Sequence, residues 1–561
     1  MLAGLKHRFA AEFGRQDAEP PSLRRLGVAG LLAGAAVVAG AVAGGSSFVS
    51  HLPGAWFFGT PGGPLGFLGT GSSRAPALAI LGVYGGLAAL SALWWRLLRT
   101  LWRNPGMSVR EAARVLVMWA LPFALSPPLF SRDVYSYAGQ GALVSFHINP
   151  YLYGPGVLGA TRFNLLADPL WAHTPSPYGP TFLSLDGLAA QVSGHQVLAD
   201  LVLLRLVSVI GVVLIAVALP SLARSVGRDP AAALVLGAGS PIVLSTLIGG
   251  AHNDGLMVGL LVVGLAAWKR FGPVPGIVLC ALAAGVKAPA ALGIVLIGWN
   301  WGGGGARVSE RLIRTVGALG IGASVLGVLS AVSGVGWGWV LTITTADKVS
   351  TGVTPANAAA HALAGVLHLI GVPVGLSVLR TATSATGIAV AVAVGCWLLW
   401  HSPRLGELRA LGLTLLLLAL LGPVLWAWYL TWGLVVLAPV ATGRMRRLLV
   451  WLSIAEALVG VSSVLGILHA LGGDGALTDL MVVLGVVALT LSVLCARFRS
   501  DRGAWARLTI RPSLVSPAGM ALATAPAVSA PIGMAIAPTQ VTPISPMSVT
   551  SMTPTGPAAE G

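Results

Sequence analysis

Carboxylates are scarce in this sequence. Its 561 residues hold 18 Asp and Glu against 34 Lys and Arg, and charged residues make up only 9% of the chain. Soluble globular chains carry roughly a quarter charged residues, so a wholly water-facing surface is excluded. Cysteine is nearly absent as well. Cys280, Cys396 and Cys495 all lie in apolar runs; they show no metal-ligand spacing and no evident disulfide, and leave the redox compartment unread. The chain has no phosphate-binding P-loop, dinucleotide-type glycine pattern, internal repeat or coiled-coil heptad. Those absences argue against a nucleotide-driven pump or a nucleotide-sugar enzyme. The net charge of +16 would suit nucleic acid, but in so apolar a chain the placement of Lys and Arg matters more than their sum. No nucleic-acid partner is expected.

What the chain has in excess is apolar sequence, at 55% hydrophobic residues and a mean hydropathy of +0.84. The expectation is an all-α integral membrane protein, a polytopic bundle of about 12 to 14 transmembrane helices. Long apolar runs fall near 26–45, 77–95, 112–130, 198–219, 231–250, 255–268, 315–333, 384–400, 410–425, 448–468 and 479–496. The stretch 272–301 reads as two short helices meeting near Lys287, and 429–441 as another short one. The run 357–376, interrupted by polar residues, reads as re-entrant or surface-lying. The first run is too long for a signal-peptide core and is expected to stay as an uncleaved span.

Charge asymmetry orients this bundle. With the basic N-terminus (1–25) in the cytosol and 357–376 uncrossed, 27 of the 34 Lys and Arg fall on the cytosolic side, as the positive-inside rule requires. The stretch 131–197 then lies outside as a large loop within the membrane domain 26–500. The segment 501–561 remains cytosolic; from Pro512 its Ala, Pro, Ser and Thr give no apolar face to bury, and disorder is expected.

That outer loop gathers the residues with chemistry. Five of the seven tyrosines lie between Tyr135 and Tyr178. Asp133, beside Arg132, Tyr135 and Tyr137, is placed to act as a general base toward a hydroxyl; the plain alternative is an ion pair with Arg132 or a helix cap. Asn149, Tyr151 and the rigid Pro177-Tyr178-Gly179-Pro180 read as a substrate platform or as ordinary loop. His252, Asn253 and Asp254 stand at an outer turn, as sugar or phosphate ligands or as a helix cap. A metal held by His252, Asp254 and Asp133 is conceivable, but the spacing does not indicate one. Arg205, Lys287, Lys348 and Arg380 are the outer-half cations suited to a lipid phosphate, with snorkelling as the bland alternative. Glu456 receives no role. Trp426, Trp428, Tyr429 and Trp432 read as an aromatic belt anchor.

Taken together, Ser131-Arg132-Asp133-Val134-Tyr135-Ser136-Tyr137, the Asn149-Pro150-Tyr151 and Gly154-Pro155 pairings, Pro177 to Pro180, and His252-Asn253-Asp254 resemble actinobacterial polyprenol-phosphomannose-dependent α-1,6-mannosyltransferases of the C-type integral-membrane glycosyltransferases. The resemblance covers roughly 110–300 and does not separate backbone-priming from backbone-extending types. It implies a C-type fold in the plasma membrane with an extracytoplasmic site. It also implies a polyprenyl-phosphomannose donor, a mannoside or phosphatidylinositol mannoside acceptor, and a mannan product belonging to lipomannan and lipoarabinomannan. Asp133 would then deprotonate a mannose O6 hydroxyl for an inverting single displacement. The rival readings are a C-type transferase of another polyprenyl-phosphate sugar and a lipid-linked sugar flippase.

The charge asymmetry gives a direct topological prediction. In a background without the three native cysteines, Ala160→Cys or Gly352→Cys should react with an impermeant thiol reagent added to intact cells. Reaction of Ser225→Cys or Arg446→Cys instead would reverse the orientation.

Overall fold

The computed structural model describes residues 23–43, 76–103, 106–342, 354–372 and 374–459. Every regular element among them is a helix, and no strand occurs among the described residues. The expected boundary near 500, the run 479–496, the tail after Pro512 and Lys348 lie outside the described residues.

Five helices are long and apolar enough to cross a bilayer: α1 (Leu23–Ala43), α2 (Pro76–Arg103), α6 (Val197–Ser225), α11 (Val308–Val332) and α13 (Leu376–Trp400). Between them run α3 (Val109–Leu125), α4 (Asp133–Ser145), α5 (Pro180–Val192), α7 (Pro230–Gly237), α8 (Asp254–Phe271), α9 (Pro273–Ala284), α10 (Ala291–Asn300) and α12 (Pro355–Leu369). Then follow α14 (Glu407–Leu421), α15 (Leu430–Leu437) and α16 (Gly443–Val459). The integral-membrane class stands, but the described residues hold fewer full-length spans than the apolar runs suggested. The reason is local. Several runs of adequate hydropathy are broken by Gly and Pro, which end the backbone hydrogen-bond ladder. The run 231–250 stops as an α-helix at Gly237 and resumes after Ser240-Pro241 as a π-helical turn, Val243–Gly249. That turn and α8 meet at 113°. The run 272–301 breaks at Lys287-Ala288-Pro289, as expected of two short helices meeting there. The polar-interrupted segment becomes α12, whose 15 residues fall short of the roughly 20 needed to span.

The stretch 131–197, expected as a large loop on one side of the membrane, carries helices of its own. α4 is buried on nearly every face and packs against α5 and α6. Its tyrosines, alanines and glycines leave few groups that need water, so the segment folds into the bundle end.

Helices approach closely where side chains vanish. Gly211 of α6 abuts the Gly255 backbone of α8, and Gly259 abuts Gly211 in turn. Small residues at such crossings let backbones pack in a lipid environment where the hydrophobic effect gives little between helices. Polar ends are handled locally. Ser108 caps α3, accepting from the Glu111 amide at 3.2 Å, while the Glu111 carboxylate accepts from the Ser108 amide at 2.9 Å, a reciprocal capping box.

Gly211→Val should lower stability by about 1–3 kcal/mol through overpacking, read as thermal unfolding in detergent. Gly317→Val, where an added Cβ meets nothing within 4 Å, should be near neutral. Equal behaviour of the two would show that the α6–α8 crossing is not tight.

Candidate active site

The site is built at one end of α8. Asp254 begins that helix and Lys269-Arg270 stand in its last turn; its 18 residues extend about 27 Å at the helical rise. The Asp254 carboxylate is fully buried and receives three hydrogen bonds: two from Lys287 Nζ at 3.0 Å each, and one from Trp432 Nε1 at 2.6 Å. The Lys287 ammonium also lies over the Tyr429 ring at 4.4 Å, with Trp432 at 5.5 Å and Tyr178 at 5.8 Å. A buried cation is tolerated when a carboxylate and ring faces replace its water.

Above this pair opens a cavity of about 170 Å³. α4 supplies one wall through Asp133, Ser136, Tyr137 and Gln140. The spacing i, i+3, i+4, i+7 puts these four on one helical face. Tyr135, two residues from Asp133, points to the other side, within electrostatic reach of Arg205. The proline-rich segment supplies a second wall: Ser176 donates to Gln140 Oε1 at 2.8 Å, and its amide donates to the Pro150 carbonyl at 2.8 Å. Gly179 sits on the Gly285 carbonyl where a Cβ would collide, which locks Tyr178 beside the Lys287 segment. Burial first, then the Asp133 charge, pushes the Tyr178 hydroxyl well above its usual range, so it stays a neutral donor. Trp171, Trp426, Tyr429 and Trp432 close the cavity.

The Arg132 guanidinium does not pair with Asp133; it donates to the Leu166 carbonyl at 3.3 Å. Asp133 is instead 18% exposed and carries His252 Nδ1 at 3.4 Å from Oδ2. Two non-glycine residues in left-handed backbone flank this corner, Phe130 at φ 64° and Ala251 at φ 54°. Such conformations cost about 1–3 kcal/mol each and persist where packing over-determines them.

Asp133, Tyr137, Tyr178 and Lys287 thus meet at one cavity, with His252 and Asp254 directly behind. The other candidates stand apart from it. Asn149 accepts the Tyr151 amide at 2.9 Å in a local turn, and Tyr151 is buried against Gly338. Asn253 heads α8 without capping it, and both its side-chain polar atoms are buried without a hydrogen bond. Arg205 is buried on α6 and donates to the Phe123 carbonyl at the end of α3. Arg380 faces His361 at 3.2 Å. No group of three His, Cys, Asp or Glu among the described residues could hold a metal ion, since Asp254 turns to Lys287 and Trp432, away from Asp133. The Trp426 to Trp432 aromatics, read as a belt anchor, face inward; Trp428 stacks on His252 with centroids 3.6 Å apart. No sequence signal separates that role from a belt anchor, because an indole at an outer turn can face lipid or protein.

Residues 25–303 match the profile described as alpha-(1->6)-mannopyranosyltransferase, N-terminal domain, and residues 355–494 match the MptB C-terminal domain. A probable alpha-(1->6)-mannopyranosyltransferase of Mycolicibacterium smegmatis is 30% identical over 482 residues, covering 80% of this chain and 84% of that relative. This chain belongs to the alpha-(1->6)-mannopyranosyltransferase family. Alpha-(1->6)-mannopyranosyltransferase A of Mycobacterium tuberculosis is 36% identical over 343 residues, 58% of this chain and 65% of the relative. The Corynebacterium glutamicum enzyme B is 30% identical over 372 residues, 60% of each chain. No solved structure matches. As a member of this family the chain is a membrane-embedded mannosyltransferase, which acts on a sugar donor and a mannoside acceptor.

The ion pair at the floor makes a testable case. Lys287→Met leaves a fully buried carboxylate without its cation and should cost about 3–5 kcal/mol, measured by thermal unfolding. Adding Asp254→Leu should restore most of that stability. No recovery in the double variant would mean that the two charges are not balancing each other.

Proposed function

We propose that this mannosyltransferase moves mannose from a polyprenyl-phosphomannose to the O6 hydroxyl of an acceptor mannoside at the extracytoplasmic face of the plasma membrane. The product is the α-1,6-mannan backbone of lipomannan and lipoarabinomannan, grown on a phosphatidylinositol mannoside. The observation that carries this reading is one cavity presenting a single partly exposed carboxylate, Asp133, and a single lysine, Lys287, between aromatic walls. An acid alone in that position suits a base; a cation near it suits a leaving phosphate. The family resemblance supplies the identity of donor and acceptor.

Asp133 takes the O6 proton as the O6–C1 bond forms, and the C1–O bond to phosphate breaks with its electron pair leaving on the phosphate. Attack from the face opposite the phosphate turns a β-mannosyl donor into an α-linked product. Lys287 has one donor beyond the two directed at Asp254, and the neutral Tyr178 hydroxyl adds another. Charge growing on the departing phosphate is stabilised by such fixed donors more than by an acid. The aromatic rings offer flat apolar faces for the sugar. Support for the extracytoplasmic side is the distance along α8 between this cavity and the basic Lys269-Arg270 end, since basic ends favour the cytosol.

The test uses membranes containing the full chain, β-mannosyl-phosphopolyprenol labelled in the sugar, and an α-1,6-mannobiose acceptor. An α-1,6-linked trisaccharide, independent of any nucleotide sugar, is the expected product. Transfer from a nucleotide sugar alone, or from an arabinosyl or glucosyl lipid in place of the mannosyl one, would contradict the donor assignment.

A further inference from the structure

His252 is left over by this mechanism. It does not line the cavity, yet only 1% of it is exposed. Its ring lies on Trp428 with 20° between planes and centroids 3.6 Å apart, and Gly250 packs against its Nε2 edge. Nδ1 makes no hydrogen bond, although Asp133 Oδ2 stands only 3.4 Å away. A polar atom so deeply buried needs a partner. Catalytic hydrogen bonds are often long without substrate and tighten when it binds. The backbone is arranged for that closure: the Leu129 amide donates to the Gly249 carbonyl at 2.9 Å, tying the turn before Asp133 to the turn before His252. The left-handed Phe130 and Ala251 then aim the two side chains toward each other.

We propose that His252 is a positioning residue for Asp133: its Nδ1–H holds one oxygen of the carboxylate, leaving the other oxygen to meet the acceptor hydroxyl. The inference rests on Asp133 being the base. During transfer the acceptor proton goes to Asp133, and His252 keeps its own. Trp428 fixes the plane of the imidazole, so the stacked ring and the carboxylate move as one unit. His252 lies outside the cavity lining, which separates its effect from that of the cavity residues: loss of aim lowers turnover, while donor and acceptor still bind.

Two replacements divide the ring from its nitrogen. His252→Phe keeps the stack on Trp428 without the N–H; His252→Asn gives up the ring but places an amide N–H near the Nδ1 position. His252→Phe should lower kcat about a hundredfold, the scale of a misplacement near 1 Å, with both KM values unchanged. His252→Asn should recover at least tenfold of that loss. Unchanged kcat in His252→Phe, or a rise in KM with kcat retained, would overturn the proposal. If His252→Phe does not accumulate in membranes, His252→Asn is compared with His252→Gln, whose amide reaches the Nε2 position; Gln equal to or better than Asn overturns it. Asp133→Asn is assayed beside them. Activity surviving there removes the base itself, whereas an inactive Asp133→Asn with normal His252→Phe removes only the positioning role.

Discussion

An ammonium group held among aromatic rings, 13% exposed, is balanced by a fully buried carboxylate, and the end of this bundle is arranged around that pair. Asp254 exists as a fully buried anion because Lys287 and Trp432 supply three hydrogen bonds to it. Holding the three together joins the start of α8, the break between α9 and α10, and α15. The 113° bend before α8 and the Lys287-Ala288-Pro289 break are therefore linked features: each gives up helical continuity to bring one charge to the same point. In a membrane, non-helical backbone is tolerated where protein surrounds it or a cavity lies beside it, and both conditions hold here.

The two acids of the site differ because their surroundings differ. Asp254 is enclosed, with its oxygens committed to a lysine and an indole. Asp133 begins α4 on the cavity wall and is 18% exposed, with His252 Nδ1 3.4 Å from one of its oxygens. The first arrangement fixes a cation; the second leaves a carboxylate able to accept a proton. Arg132, which the sequence offers as an obvious ionic partner for Asp133, is drawn off to the Leu166 carbonyl.

Much of this was legible in the sequence, and the rest failed for identifiable reasons. Hydropathy was sufficient for the membrane class, and the resemblance around Asp133, Tyr178 and His252 marked the segments that meet at the cavity. Lys287 was legible as an expensive outer cation next to a proline break. Span number was not, because hydropathy ignores whether Gly237, Pro241 or Pro289 lets the backbone continue as a helix. The roles of Arg205 and the Trp426 to Trp432 cluster were not legible either. A cation or an indole placed at an outer turn can face lipid or protein, and only packing decides which. Arg205 caps the carbonyl end of α3, and the indoles close the cavity.

The central claim is that Asp133 removes the acceptor proton while Asp254 holds Lys287. It is tested most directly by the turnover of Asp133→Asn at matched membrane protein level and thermal stability, with saturating polyprenyl-phosphomannose and mannoside acceptor. The side chain keeps its size but loses its basicity, so kcat should fall about a hundred- to ten-thousand-fold with the unfolding temperature unchanged. Near-normal turnover by a stable Asp133→Asn protein would contradict the account.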